Sequence, residues 1–172
     1  FNIELKPWTQ AGEEIIICGQ HGNSHQWRNN PKMYKWFEQQ ITEIRKYSDR
    51  PIIVRPHPRD YINLDTTKFK NVKVIASIKD QNTDDTNFNK ILKNAWAVNH
   101  SSNPAMQSVF NGVPVFVSEA SLSYDVGNSS LANINNPNRP GRWTWANKLA
   151  YTEWWPIEIA QGKPWARIKK RL

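Results

Sequence analysis

The chain has 172 residues, enough for one domain with a sizeable core, and carries 23 Lys and Arg against 15 Asp and Glu, a formal net charge of +8. That balance favours acidic partners (nucleotides, nucleic acid or an anionic membrane surface) without choosing among them. The single cysteine, Cys18, excludes a disulfide framework within the chain and fits a reduced, cytoplasmic setting, and no apolar run approaches the roughly 20 residues of a membrane span.

The start, Phe1 to Glu4, has neither a basic nor an apolar leader region, so no signal peptide is read. It also lacks an initiator Met, so a piece of a longer chain is expected. Glu14 to Gly19 is short, apolar and β-branched and predicts a buried strand. Gly19 to Asn30 is polar and turn-rich. Asn30-Pro31 is expected to cap and open a helix in which Met33, Trp36, Phe37, Ile41, Ile44 and Tyr47 recur at three- and four-residue spacing. Pro51 to Val54 predicts a second strand, with Arg55 to Asp60 as its outgoing loop. Asn71 to Ile75 reads as a third strand, Ser77 to Thr86 as a polar loop, and Phe88 to Asn94 as a short helix. Ala95 to Asn99 is a fourth strand. Pro104 to Asn111 is a helix stopped by Gly112, with Ser101 or Ser102 as its expected N-cap, and Val113 to Val117 is a fifth strand.

Buried strands alternating with helices predict an α/β fold: a Rossmann-like parallel sheet flanked by helices. Residues 1–134 form this expected nucleotide-binding domain. Residues 135–172 form a loop and a helical, Trp-rich tail, broken at Pro156 and again at Gly162-Lys163-Pro164, that packs on the domain or on a partner. The chain has nine tryptophans; burial is the ordinary role of such rings, with base or sugar stacking as a minority use.

In a parallel sheet the strand-to-helix loops fall on one edge, where ligands bind. The loops after Gly19, Arg55 and His100 therefore share one rim, and the last two read as donor clusters at the ends of neighbouring strands. His57 lies between Pro56 and Pro58, which stiffen the loop, and is flanked by Arg55 and Arg59. Two roles suit His57: a hydrogen bond to a phosphate, or a rigid strand exit whose imidazole satisfies a backbone carbonyl. Ser101 and Ser102 suit a helix cap, an anion site, or both. Gly19-Gln20-His21-Gly22 permits close approach of backbone to ligand but is neither a Walker A loop nor a full GxGxxG fingerprint. His21 and His25 sit in a Gly/Asn loop without a metal-binding frame, and no GxSxG elbow is present, so neither metal nor a Ser-His-Asp hydrolase is expected. Asp125, and beside it Glu119, are the carboxylates that follow the fifth strand.

Together these pieces resemble the nucleotide-binding C-terminal half of a GT-B glycosyltransferase, and within that group the bacterial capsule Kdo transferases and polysialyltransferases. Those enzymes carry an HP motif and a serine-pair motif that grip the donor nucleotide, matched here by His57-Pro58 and Ser101-Ser102. A strand ending in Gly-Gln is matched by Gly19-Gln20. Their Glu-Ala-Leu segment before Gly-x-Pro-Val is matched by Gln107-Ser108-Val109 and then Gly112-Val113-Pro114-Val115. Gln107 keeps the hydrogen-bonding capacity of that Glu without its charge. The likeness covers roughly residues 14 to 127. The Trp-rich tail and Ser123-Tyr124-Asp125 also look like bacteriophage proteins labelled glycosyltransferases, which would place the protein in a host cytoplasm.

The resemblance implies a nucleotide-sugar donor as substrate, with Gly19, Gln20, Arg55, His57, Arg59, Ser101, Ser102 and Gln107 around its nucleotide and phosphate and with no metal or other cofactor. It implies an acceptor that is a glycan or, for a viral protein, modified DNA. It also implies a second domain or a homo-oligomeric partner that completes the cleft, since the general base of the capsule enzymes comes from their N-terminal half. In this chain Asp125 is the catalytic candidate. Two other readings stand beside it: a non-catalytic nucleic-acid-binding module using the basic tail, and a phosphotransferase of the CDP-glycerol type.

Overall fold

The computed structural model describes residues 4–60, 62–76, 86–92 and 95–170. Five strands, β1 (Glu14–Cys18), β2 (Ile52–Arg55), β3 (Val72–Val74), β4 (Ala95–Asn99) and β5 (Val115–Phe116), form one sheet in the order β3-β2-β1-β4-β5, and every pairing is parallel. Between them lie the helices α1 (Met33–Arg45), α2 (Thr86–Leu92) and α3 (Pro104–Phe110). This is the α/β, Rossmann-like sheet expected from the alternation of apolar runs.

The strands form where β-branched residues cluster. Ile15, Ile16 and Ile17 are fully buried, and Ile15 and Ile17 pair with Ile52 and Val54 on one side and with Trp96 and Val98 on the other. Alternate strand residues point to one face. That face, built from Ile15, Ile17, Ile52, Val54, Trp96, Val98 and Phe116, clusters with Trp36, Phe37, Ile41 and Ile44 of α1. The opposite set includes the small Ala95 and Ala97, and there α2 and α3 lie against β4.

Three local expectations are corrected. Helix α1 opens at Met33 after an N-cap at Lys32, not at Asn30-Pro31, because the Pro31 carbonyl accepts the Trp27 indole N–H at 2.8 Å and belongs to the preceding loop. Strand β5 spans two residues: the Val117 N–H turns to the Asn128 carbonyl at 2.9 Å, which ends its pairing with β4. Neither serine caps α3. Asn103 holds the N-cap position without a side-chain bond, and both serine hydroxyls are engaged elsewhere. The polar loop expected at residues 77–86 lies almost wholly outside the described residues, as do the last two of the helix expected at 88–94.

The chain divides into two compact units, Phe1–Pro140 and Gly141–Leu172. The loop at 135–140, expected to open the tail, is tied into the first unit. The Asn138 N–H donates to Asn128 Oδ1 at 2.8 Å, Arg139 Nε donates to the Thr9 carbonyl at 3.1 Å, and the Trp8 indole donates to the Pro140 carbonyl at 2.9 Å.

The second unit consists of α4 (Trp143–Thr152), α5 (Pro156–Ala160) and α6 (Lys163–Lys169). Gly162 turns the corner between α5 and α6 at φ +72°, a left-handed conformation that favours glycine. The break expected at Gly162-Lys163-Pro164 falls at Gly162, and Lys163 and Pro164 open α6, since proline fits a first helical turn. Arg167 braces this unit by donating to the Tyr151 carbonyl and stacking 4.6 Å from the Tyr151 ring centroid. Among the described residues, no helix is long and apolar enough to cross a membrane.

Candidate functional site

In strand order 3-2-1-4-5, chain direction reverses its progress across the sheet beside β1, and the crevice beyond the carboxyl ends of β1 and β4 is where such folds bind ligands. A cleft of about 400 Å³ opens there. Its walls come from the loops after β1 (Gly19, Gln20, His21), β2 (Pro56, His57, Pro58) and β4 (Ser101, Ser102, Asn103). The donor clusters of β2 and β4 were expected on neighbouring strands; β1 lies between them, and its loop joins them.

The join is specific. Gln20 is buried although polar. Its amide oxygen accepts the Ser101 hydroxyl at 2.9 Å, and its amide nitrogen donates to Gln26 Oε1 at 2.9 Å. Ser102 donates to Asn99 Oδ1 at 3.0 Å. Each hydroxyl spends its single proton on that bond, so it meets an accepting ligand only by rotating that proton away from Gln20 or Asn99. Gly19 lets the loop lie flat: its N–H extends the β1–β2 ladder to the Arg55 carbonyl at 2.8 Å, and an added Cβ would meet Phe37 Cζ at 2.8 Å.

Arg55 ends β2 as a buried cation at the cleft floor, 4.8 Å from the Phe88 ring centroid. Burial lowers its pKa, with the neighbouring Cys18 opposing, but a guanidinium keeps its charge at neutral pH. Beside it, burial pushes the Cys18 thiol up to about 12, partly opposed by Arg55, so Cys18 packs as a small apolar group.

His57 Nδ1 accepts the Arg59 backbone N–H at 3.2 Å. A backbone N–H only donates, so the neutral ring carries its proton on Nε2 and presents a donor there. Burial depresses the pKa of His57; Asp60 opposes this, and His21 and Arg59 add to it. The ring of His21 meets that of His57 edge-on, with centroids 5.2 Å apart. Asp60 stands behind both loops. Its Oδ2 accepts the Gly22 N–H at 2.6 Å, and its Oδ1 lies 3.6 Å from His21 Nε2.

The structure thus brings Gly19, Gln20, Arg55, His57, Ser101 and Ser102 to one cleft. Arg59, Gln107 and Asp125 do not line it. Arg59 lines a separate hollow with Gly22, Tyr34 and Asp60. Gln107 lies on α3 and donates to Asn89 Oδ1 at 3.1 Å. Asp125 is exposed in the turn Tyr124–Val126. His100, beside the serine pair, turns toward a second hollow lined by Trp36, Asn99 and Phe116, with its ring 5.1 Å from that of Trp27.

No protein-family model matches the chain, and no curated protein matches it. Among the described residues no group of three or more His, Cys, Asp or Glu gathers as a metal site.

Sequence reasoning missed Asp60 and undervalued His21. The carboxylate meets the Gly22 loop across 38 residues of chain, and neither residue carries a motif of its own. The only local signal was an acidic side chain closing a loop that otherwise offers cationic and imidazole groups.

Proposed function

We propose that this chain is the donor-binding unit of a glycosyltransferase on the GT-B plan, holding the phosphate of a nucleotide-sugar in the cleft above β1, β2 and β4. The observation that carries this reading is the convergence, at the switch point of a parallel sheet, of a neutral imidazole that donates from Nε2, a buried guanidinium and two anchored hydroxyls. The imidazole N–H and the guanidinium complement a phosphate as they stand, and each hydroxyl does so by turning its proton from Gln20 or Asn99 to the ligand. Preset donors and positive charge in a partly dehydrated cleft stabilise negative charge that grows on the phosphate as the glycosidic bond breaks. His57 donates to that phosphate, Arg55 supplies positive potential from beneath, and Ser101 and Ser102 set the opposite wall. Gln20 ties the loop after β1 to the serine wall. The acceptor is a glycan or, in a viral setting, a modified DNA base.

The test is a thermal-shift panel of CMP, CDP, UDP, GDP, their sugars and CDP-glycerol. A nucleotide-sugar should raise Tm, and His57→Ala should remove that rise while leaving the unliganded Tm within a few degrees. Absence of any shift rejects the donor site. A shift by CDP-glycerol alone points to phosphotransfer. Salt-sensitive binding of DNA with no response to nucleotide points to a nucleic-acid module.

A further inference from the structure

Neither Asp125 nor Glu119 lines the cleft, so the donor site lacks the carboxylate base that the sequence offered. A different pair stands on its rim. His21 lines the cleft, and its Nε2 faces Asp60 Oδ1 at 3.6 Å. Asp60 is itself held, because its other oxygen accepts the Gly22 N–H at 2.6 Å, one residue beyond His21. Its side chain is only 17% exposed.

The two imidazoles have opposite hydrogen-bonding polarity. His57 accepts through Nδ1 and therefore donates through Nε2. His21 Nε2 faces a carboxylate, which accepts only, at 3.6 Å, an ion-pair separation longer than a hydrogen bond; the negative charge favours the tautomer with its proton on Nε2 and its lone pair on Nδ1. Among the described residues His21 Nδ1 has no hydrogen-bond partner. A carboxylate facing one imidazole nitrogen, with the far nitrogen left as acceptor, is the arrangement that makes an imidazole a directed proton acceptor, and such contacts tighten when substrate binds. With the rings 5.2 Å apart, one cleft holds a donor for the departing phosphate beside an acceptor for an incoming hydroxyl.

We propose that His21 is the general base of this site and Asp60 its positioning residue. The assignment rests on the glycosyl-transfer reading above. In the step, the acceptor hydroxyl gives its proton to His21 Nδ1 as its oxygen bonds to the anomeric carbon of the donor. The bond from that carbon to the phosphate oxygen breaks, and its electron pair leaves on the nucleotide phosphate, which His57 Nε2–H and Arg55 hold. The imidazolium at His21 is stabilised by Asp60 until its proton passes to water. The acceptor class is therefore a neutral hydroxyl, of a sugar, a hydroxymethylated base or water itself, that needs deprotonation to attack.

The experiment uses the full chain with whichever nucleotide-sugar gives the largest thermal shift, and reads nucleotide release by transfer to water across pH. Wild type should release nucleotide with a rate that climbs with pH and then levels. His21→Gln should keep the thermal shift, slow release on the order of 100-fold or more, and flatten that climb. Asp60→Asn keeps an acceptor for Gly22 but removes the carboxylate that faces His21 Nε2. It should slow release while keeping the thermal shift, and in nitrogen NMR it should weaken the preference of the neutral His21 ring for a proton on Nε2, which a purely structural role would not do. Unchanged release in His21→Gln or in Asp60→Asn, or a wild type that binds but never releases nucleotide, overturns the base assignment. No thermal shift with wild type overturns the donor site instead, so the two failures are distinguishable. If Asp60→Asn fails to fold, nitrogen NMR of wild-type His21 decides: protonation at Nε2 is expected, and protonation at Nδ1 in the neutral ring overturns the proposal.

Discussion

The amide oxygen of Gln20 and the hydroxyl of Ser101 meet at 2.9 Å across 81 residues of chain, and this contact locks the loop after β1 to the loop after β4. Gln20 is buried, so each bond it loses leaves a polar atom without water to replace it. Ser101→Ala strips Gln20 Oε1 of its partner and should cost about 1–2 kcal/mol in urea denaturation. Gln20→Ala also releases Gln26 and should cost at least as much. Both should weaken nucleotide binding more than a surface change of equal stability cost. Equal losses of binding and stability would reduce the contact to a structural one.

A second prediction concerns backbone room. An alanine at Gly19 places its Cβ 2.8 Å from Phe37 Cζ and 3.3 Å from the His57 nitrogen. Phe37 is fully buried and has nowhere to go, so Gly19→Ala should destabilise by about 1–3 kcal/mol and displace the His57 loop. Gly112→Ala should be worse. Gly112 has φ +75°, and its Cβ would fall 2.0 Å from the Pro7 carbonyl oxygen, which is backbone. Chemical denaturation of the two variants ranks them, and a milder Gly112→Ala would contradict this packing.

The legible parts of the molecule were those written in local pattern. Ile15 to Ile17, Ile52 to Val54 and Ala95 to Val98 announced buried parallel strands because adjacent apolar residues must be covered on both faces. The shared rim of the loops followed from the parallel sheet alone. Side-chain direction was not written there. Arg59 neighbours His57 by only two positions yet lines another hollow, because its own N–H is drawn back to His57 Nδ1 and turns the chain. Gln107 has motif spacing in its favour, but on α3 its amide reaches Asn89. Asp60 had no motif at all and gains its place only through a contact across the fold.

Cys18 supplies a probe of global opening. Burial holds its thiol at about 12, against a usual value of 9.0, and the side chain is 2% exposed. The thiolate is the reactive form, so the folded protein should not react with a disulfide reagent at pH 8, and one thiol per chain should react in urea. Its labelling rate should track unfolding of the central strand and slow when nucleotide binds. Rapid labelling of the native protein would mean that the carboxyl end of β1 opens locally.

Acid should act on stability and on binding in opposite directions. His57 and His100 both have pKa values held below the ordinary 6.5, chiefly by burial. Unfolding releases them to 6.5, so between the folded and unfolded values the unfolded chain binds more protons and stability rises with pH. The contribution is fully present above 6.5 and is lost as pH falls through the folded values. Tm should therefore decline below pH 6.5, and a protein carrying His57→Gln and His100→Gln should decline less. Nucleotide affinity should move the other way, since a protonated His57 attracts phosphate and a bound phosphate raises the pKa of the ring. Binding measured from pH 8 to pH 6 should tighten in wild type and stay flat in His57→Gln. Tightening that survives His57→Gln would remove His57 from the phosphate contact.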